Sequence, residues 1–270
     1  MHAATVRRLL VRGMVAGLLA GLIAFAFAYV VGEPSINDSI ALEQTQSAPA
    51  GHAHHDAGAA PAADEEEELV SRSVQSTFGL ATGLLVYGVA LGGLASLAFC
   101  FAFGRIGRFG PQATAALVAA GTFTTVYLVP FLKYPATPPA VGNPDTIGQR
   151  TTLFFLMILL SVLLAVGAVV IGRRLAPRLG NWNATVAAGV GFAVVMAVLF
   201  LVLPDNGDAV KETFPAALLW DFRMASLGMQ AVLWAGFGLI FGALTERLLA
   251  PRPAHRDGDA VAEPVRPATG

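Results

Sequence analysis

Six long apolar stretches, at about residues 9–31, 77–103, 112–132, 151–171, 183–203 and 227–249, restrict this 270-residue chain more than any other feature. Each is long enough to cross a hydrocarbon layer about 30 Å thick as an α-helix, which takes about 20 residues. Inside a bilayer the backbone finds no water, so only a helix satisfies every peptide group within such a segment. The expected fold is all-α: a polytopic transmembrane helical bundle of about six spans. Composition agrees, with 55% hydrophobic and 13% charged residues, roughly half the charged share of a soluble domain. A membrane domain over residues 1–250 then carries an outer loop at 32–76, and residues 251–270 read as a disordered cytoplasmic tail.

The basic residues set the orientation. With the amino terminus cytoplasmic, Arg7, Arg8, Arg12, Arg105, Arg108, Arg173, Arg174, Arg178, Arg247, Arg252, Arg256 and Arg266 fall inside, 12 of the 17 Lys and Arg residues. Arg72, Lys133, Arg150, Lys211 and Arg223 fall outside. Such a bias places both termini in the cytoplasm, with the chain spanning a bacterial cytoplasmic (inner) membrane several times. The first span also resembles a signal peptide, because Arg7, Arg8 and Arg12 precede an apolar run and the small-residue pattern Ala24-Phe25-Ala26. Its apolar run exceeds the length of a typical leader, so a retained first span is expected. Cleavage would leave five. The single cysteine, Cys100, lies within the second span and has no partner thiol in the chain.

The outer loop holds the most specific chemistry. His52, His54 and His55 lie within four positions, Asp56 follows, and an acidic run occupies Asp64 to Glu68. Imidazoles at this spacing in an Ala- and Gly-rich segment can wrap one divalent ion with Asp56 as a further donor, a ligand set suited to cobalt, nickel, zinc or copper(II). Few apolar residues surround them, which suits a collector of ions rather than a rigid site. The competing reading is a solvated acidic loop whose histidines are incidental.

The outer ends of the helices supply a second group of candidates. Arg72, Arg150 and Arg223 precede the inward-running spans, against the positive-inside bias and the helix dipole, so they call for partners. Glu33, Asp145 and Asp221 are available acids, and Asn143 lies in the stiff connection from Lys133 to Arg150, which contains four prolines. Glu33, Asn143, Asp145, Asp221, Arg150 and Arg223 are the candidate entrance residues. Lipid anchoring is the plainer role for the arginines, favoured for Arg72 and evenly balanced for Arg150 and Arg223.

Between the helix ends ionisable side chains are scarce. Glu246 lies near the inner end of the last span, and Tyr87, Ser96, Thr122, Thr124, Thr125, Tyr127, Met157, Ser161, Met196 and Gln230 are the polar or sulfur groups. A bare divalent ion is costly there. No phosphate-binding G-x-x-x-x-G-K-[ST] loop, H-E-x-x-H or G-x-S-x-G motif is present, and all five histidines fall outside the spans. These features argue against an enzyme, intramembrane haem ligation or self-powered pumping. No tightly bound cofactor and no nucleic-acid partner is expected; the partners are lipid and a divalent metal ion.

Several segments together resemble the CbtA-type proposed cobalt transporter subunits of bacteria, over about residues 5–250. They are the basic amino terminus with a first helix ending Val31-Gly32-Glu33-Pro34, the outer loop with His52, His54 and His55, the stretch from Tyr134-Pro135 through Pro138-Pro139-Ala140 and Asn143-Pro144 to Arg150-Thr151, and Trp220-Asp221-Phe222-Arg223. The resemblance implies cobalt uptake linked to cobalamin synthesis and a small His-containing membrane partner of the CbtB type. A membrane metal sensor or assembly partner that moves no ions is the other reading.

Overall fold

A computed structural model describes residues 2–47, 71–139, 141, 146–205, 210 and 214–249. The described residues are helical with short connections. The first helix, α1 (Ala3–Phe27), passes through a π-turn at Ala28–Gly32 into α2 (Glu33–Ser47). A short α3 (Arg72–Val74) leads through a π-turn at Gln75–Gly79 into α4 (Leu80–Ala102). The chain returns as α5 (Pro111–Thr122), a π-turn at Phe123–Leu128 and α6 (Val129–Lys133). A long α7 (Ile147–Val202) and α8 (Ala216–Leu249) complete the bundle.

Five continuous helical runs are long and apolar enough to cross a membrane. The α7 run supplies two of the six anticipated spans, because Pro177 interrupts it and Gly180 takes a non-helical φ of 78°. A Cβ placed on Gly172 would lie 3.1 Å from Ala188 Cβ, whereas sixteen residues of straight helix would separate them by about 24 Å. The chain therefore doubles back at Gly180, with Met157 and Met196 in one cluster. Residues 33–47, expected as the beginning of the outer loop, instead prolong the first helix.

Two of the three π-turns have a sequence cause. Proline lacks an N–H and its ring presses on the carbonyl four residues earlier. Pro34 and Pro130 meet that conflict at Val30 and Val126, which lie inside the first and third π-turns. Widening the helix there lets it continue instead of ending. Ser161 Oγ of α7 donates to the Thr125 carbonyl at 2.5 Å, so the loosened turn of the third is tied to the α7 hairpin.

The centre is a crossing of α1 and α4 on glycine. Gly13, Gly17 and Gly21 on α1 meet Leu84, Gly88, Gly92 and Ser96 on α4. A Cβ on Gly17 would lie 2.0 Å from the Gly88 carbonyl oxygen, and one on Gly92 2.3 Å from that of Gly13. Lipid tails are as apolar as the side chains, so close packing holds these helices together in place of a water-driven hydrophobic effect. A neighbouring face of α1 packs on α8, where Gly236 faces Ala20, and the other side of α8 packs on α5, where Gly238 faces Ala119. Small residues on α1 and α5 thus receive Trp234, Phe237 and Phe241, and Phe99 meets Phe241 edge to face at 5.3 Å. A void of about 10 Å³ beside Gly17, Gly88, Gly92 and Trp234 is the only space at this junction among the described cavities.

Gly17→Ala is expected to destabilise the protein by about 3 kcal/mol, the upper range of overpacking, read as a lower thermal midpoint in detergent. Gly83→Ala, whose Cβ meets nothing within 4 Å, should stay within about 1 kcal/mol of the parent. Equal effects would contradict the assignment of the crossing.

Candidate functional site

Ion pairs and hydrogen bonds gather the outer ends of the helices. Glu33, at the start of α2 and 6% exposed, pairs with Arg72 of α3. Arg72 Nε also donates to Asn37 Oδ1 at 3.2 Å. Arg72, favoured from the sequence as a lipid anchor, is thus a partner for a buried carboxylate. Glu33 in turn has its charge balanced by protein and is not an open ligand for a passing ion.

Lys133 at the end of α6 donates to Asp205 at 2.7 Å, and the Tyr134 hydroxyl donates to the Pro204 carbonyl at 2.8 Å. These contacts close the end of α5–α6 against the end of α7. Burial lifts the Tyr134 hydroxyl above its ordinary pKa, with Lys133 opposing and Asp205 reinforcing the shift, so it remains a donor at neutral pH. Arg223 Nε of α8 reaches the Ala136 carbonyl at 3.3 Å. Arg223 therefore anchors the segment after α6, a backbone partner in place of the acids considered from the sequence. Asp221, two residues before it, is exposed.

A cavity of about 420 Å³ opens between the third π-turn, α6 and the start of α7. Tyr127, Phe131, Tyr134 and Phe154 form an aromatic wall, and Arg150 and Thr151 contribute polar groups. The wall follows from helical spacing: Phe123, Tyr127 and Phe131 stack at centroid separations of 6.2 and 5.5 Å. Arg150, a candidate entrance residue, lines this space. His52, His54, His55, Asp56, Asn143 and Asp145 lie outside the described residues.

Away from the entrance, Tyr87 of α4 is exposed, Tyr127 of the third π-turn is half-buried and Gln230 of α8 is buried. The Gln230 carboxamide lies beside the Tyr87 hydroxyl. Most neighbouring hydroxyls donate to carbonyls of their own helix: Thr122 to Val118, Thr125 to Gly121, and Ser96 to Gly93. At the inner end, Arg12 Nη1 donates to the Leu244 carbonyl at 2.5 Å, and Glu246 accepts from the Gln112 N–H at 3.3 Å. Glu246 thus neutralises the positive end of α5.

Among the described residues no three His, Cys, Asp or Glu side chains converge on a point that could hold a metal ion. Tyr87, Tyr127 and Gln230 offer neutral polar groups, a set poor for tight chelation. Tyr87, Tyr127 and Gln230 are legible singly as polar residues in apolar spans. The meeting of Tyr87 with Gln230 depends on two helices that no spacing rule connects. The aromatic ladder at 123, 127 and 131 had a signal in its four-residue period.

Breaking the two outer ion pairs should give unequal losses. Arg72→Ala leaves Glu33 buried without its cation and should cost about 3 kcal/mol. Lys133→Ala leaves Asp205, whose side chain is 91% exposed, to water and should cost less than about 1 kcal/mol. Thermal midpoints in a common detergent check the ranking, and a larger loss for Lys133→Ala would overturn it.

The family model described as probable cobalt transporter subunit (CbtA) matches residues 6–246, the whole run of helices from α1 to α8. No curated protein and no solved structure matches the chain.

Proposed function

The chain belongs to the CbtA family of probable cobalt transporter subunits, and on that premise we propose that it is the membrane subunit for uptake of a divalent transition-metal ion, cobalt. The family match across the entire bundle carries this reading. His52, His54, His55 and Asp56 capture the ion at the outer surface, and the acidic run raises its local concentration. Asp145 and the exposed Asp221 then pass it inward. Glu33, Arg150 and Arg223 serve the entrance by holding its walls, in keeping with the contacts of Glu33 to Arg72 and of Arg223 to Ala136.

The crossing runs along the seam of Tyr127, Tyr87 and Gln230, where neutral oxygens face an ion that keeps its water. The physical support is twofold. The glycine junction of α1 and α4 leaves room for about one water, so passage there is closed. Charged ligands are missing from the described interior, so a dehydrated ion would meet a steep barrier. The family description as a subunit implies a partner, and a small His-containing CbtB-type membrane protein fills that role. Cobalt is cargo in this account, the chain is not an enzyme, and the bacterial inner membrane is its site, with uptake feeding cobalamin synthesis.

Proteoliposomes holding the purified chain, with and without the small partner, test the reading across cobalt, nickel, zinc and copper. Saturable uptake that prefers cobalt is the expected result. Metal binding without flux in either preparation would overturn transport and leave a sensor or assembly role. Replacing His52, His54 and His55 together with alanine is expected to raise the half-saturating cobalt concentration about tenfold, equivalent to roughly 1.4 kcal/mol, with maximal flux unchanged. Superimposable uptake curves for variant and parent would remove the capture role.

A further inference from the structure

Two buried polar atoms near the middle of α8 have no hydrogen-bond partner: Gln230 Oε1 and Trp234 Nε1. Their residues are 7% and 4% exposed. Spaced four apart, they lie on one face of the helix about one turn from each other. Such groups are nearly always satisfied in folded proteins, by protein or by ordered water. They stand apart from the central hydroxyls, which donate to carbonyls of their own helices, as Thr245 does to Gly242.

The chemistry of the pair selects its ligand. Indole N–H only donates and the amide oxygen only accepts. An anion would satisfy Trp234 and repel the oxygen of Gln230, and a bare cation would do the reverse. A water molecule accepts from the indole and donates to the amide. Water reaches the pair from the side of Tyr87, whose exposed side chain lies beside the Gln230 carboxamide.

We propose that Gln230 and Trp234 hold an ordered water at the centre of the bundle, reached past Tyr87, and that the transported ion crosses this level with its water ligands retained. The second half of this inference rests on the uptake reading above. Gln230 and Trp234 are positioning residues for water, not a metal-ligand set.

The test uses the full chain in vesicles with Trp182→Phe and Trp220→Phe, two exposed tryptophans, so that Trp234 alone emits. Exchange of H₂O for D₂O should raise its emission, and Gln230→Leu should abolish that response and shift emission to shorter wavelength. Emission typical of a dry apolar site in the parent, with no response to D₂O, would overturn the water site. In cobalt uptake, Gln230→Leu should lower maximal flux about tenfold and Gln230→Asn should retain most of it. The Asn variant separates loss of water binding from loss of folding. Normal flux in Gln230→Leu by a transporting parent would overturn the role in crossing. Absent flux in the parent would remove the uptake reading, while the D₂O response continues to decide the water site.

Discussion

The backbone contact between α1 and α4 is the constraint from which the remaining architecture follows. Gly17 and Gly88 bring their helices so close that a single Cβ would strike a carbonyl oxygen. In lipid no release of water drives helices together, so dispersion across such a contact and weak Cα–H···O bonds hold them in place. Once α1 is pinned to α4, its alanine face at Ala16, Ala20 and Ala24 is presented to α8. The large rings of Trp234, Phe237 and Phe241 fill the width that the small residues leave. The outer cavity lies away from this junction, beside α6 and the start of α7.

That region is shaped by departures from ideal helix. A proline inside an apolar span would ordinarily end or kink it, yet Pro34 and Pro130 each follow a π-turn that absorbs the clash. The turn at Phe123–Leu128 widens the helix beside Tyr127, and Ser161 fastens it to the α7 hairpin. The outer cavity opens at this widening. Its borders are held by Tyr134 on Pro204 and by Arg223 on Ala136, contacts that join three separate helical units. Local backbone chemistry, long-range hydrogen bonds and the candidate entrance are one chain of cause.

The helical class and the six spans were legible because hydropathy alone dictates a helix wherever lipid surrounds the backbone. The break between the spans at 151–171 and 183–203 was anticipated from hydropathy, and Gly180 is where the chain makes the turn. Less visible was the extension of the first helix to Ser47, since Pro34 reads as a stop unless a π-turn precedes it. The pairing of Arg72 with Glu33 was hidden for a different reason. The two residues are far apart in sequence, and an outer arginine beside a bilayer has lipid phosphate as an equally good partner. Glycines at 88, 92 and 93 signalled close packing, but which helix they receive is a property of the whole bundle. The seam of Tyr87, Tyr127 and Gln230 shares that character, since each residue comes from a different span.

The account joins a rigid glycine-packed scaffold to a wet seam beside it, and accessibility of Tyr87 tests that division most directly. In a Cys100→Ser background, Tyr87→Cys would be treated in sealed vesicles with a small positively charged thiol reagent. The account predicts rapid modification from the outer solution, slowed by cobalt, with loss of cobalt entry after labelling. A thiol at position 87 that never meets the charged reagent, in vesicles that still take up cobalt, would show that the ion crosses elsewhere and contradict the account.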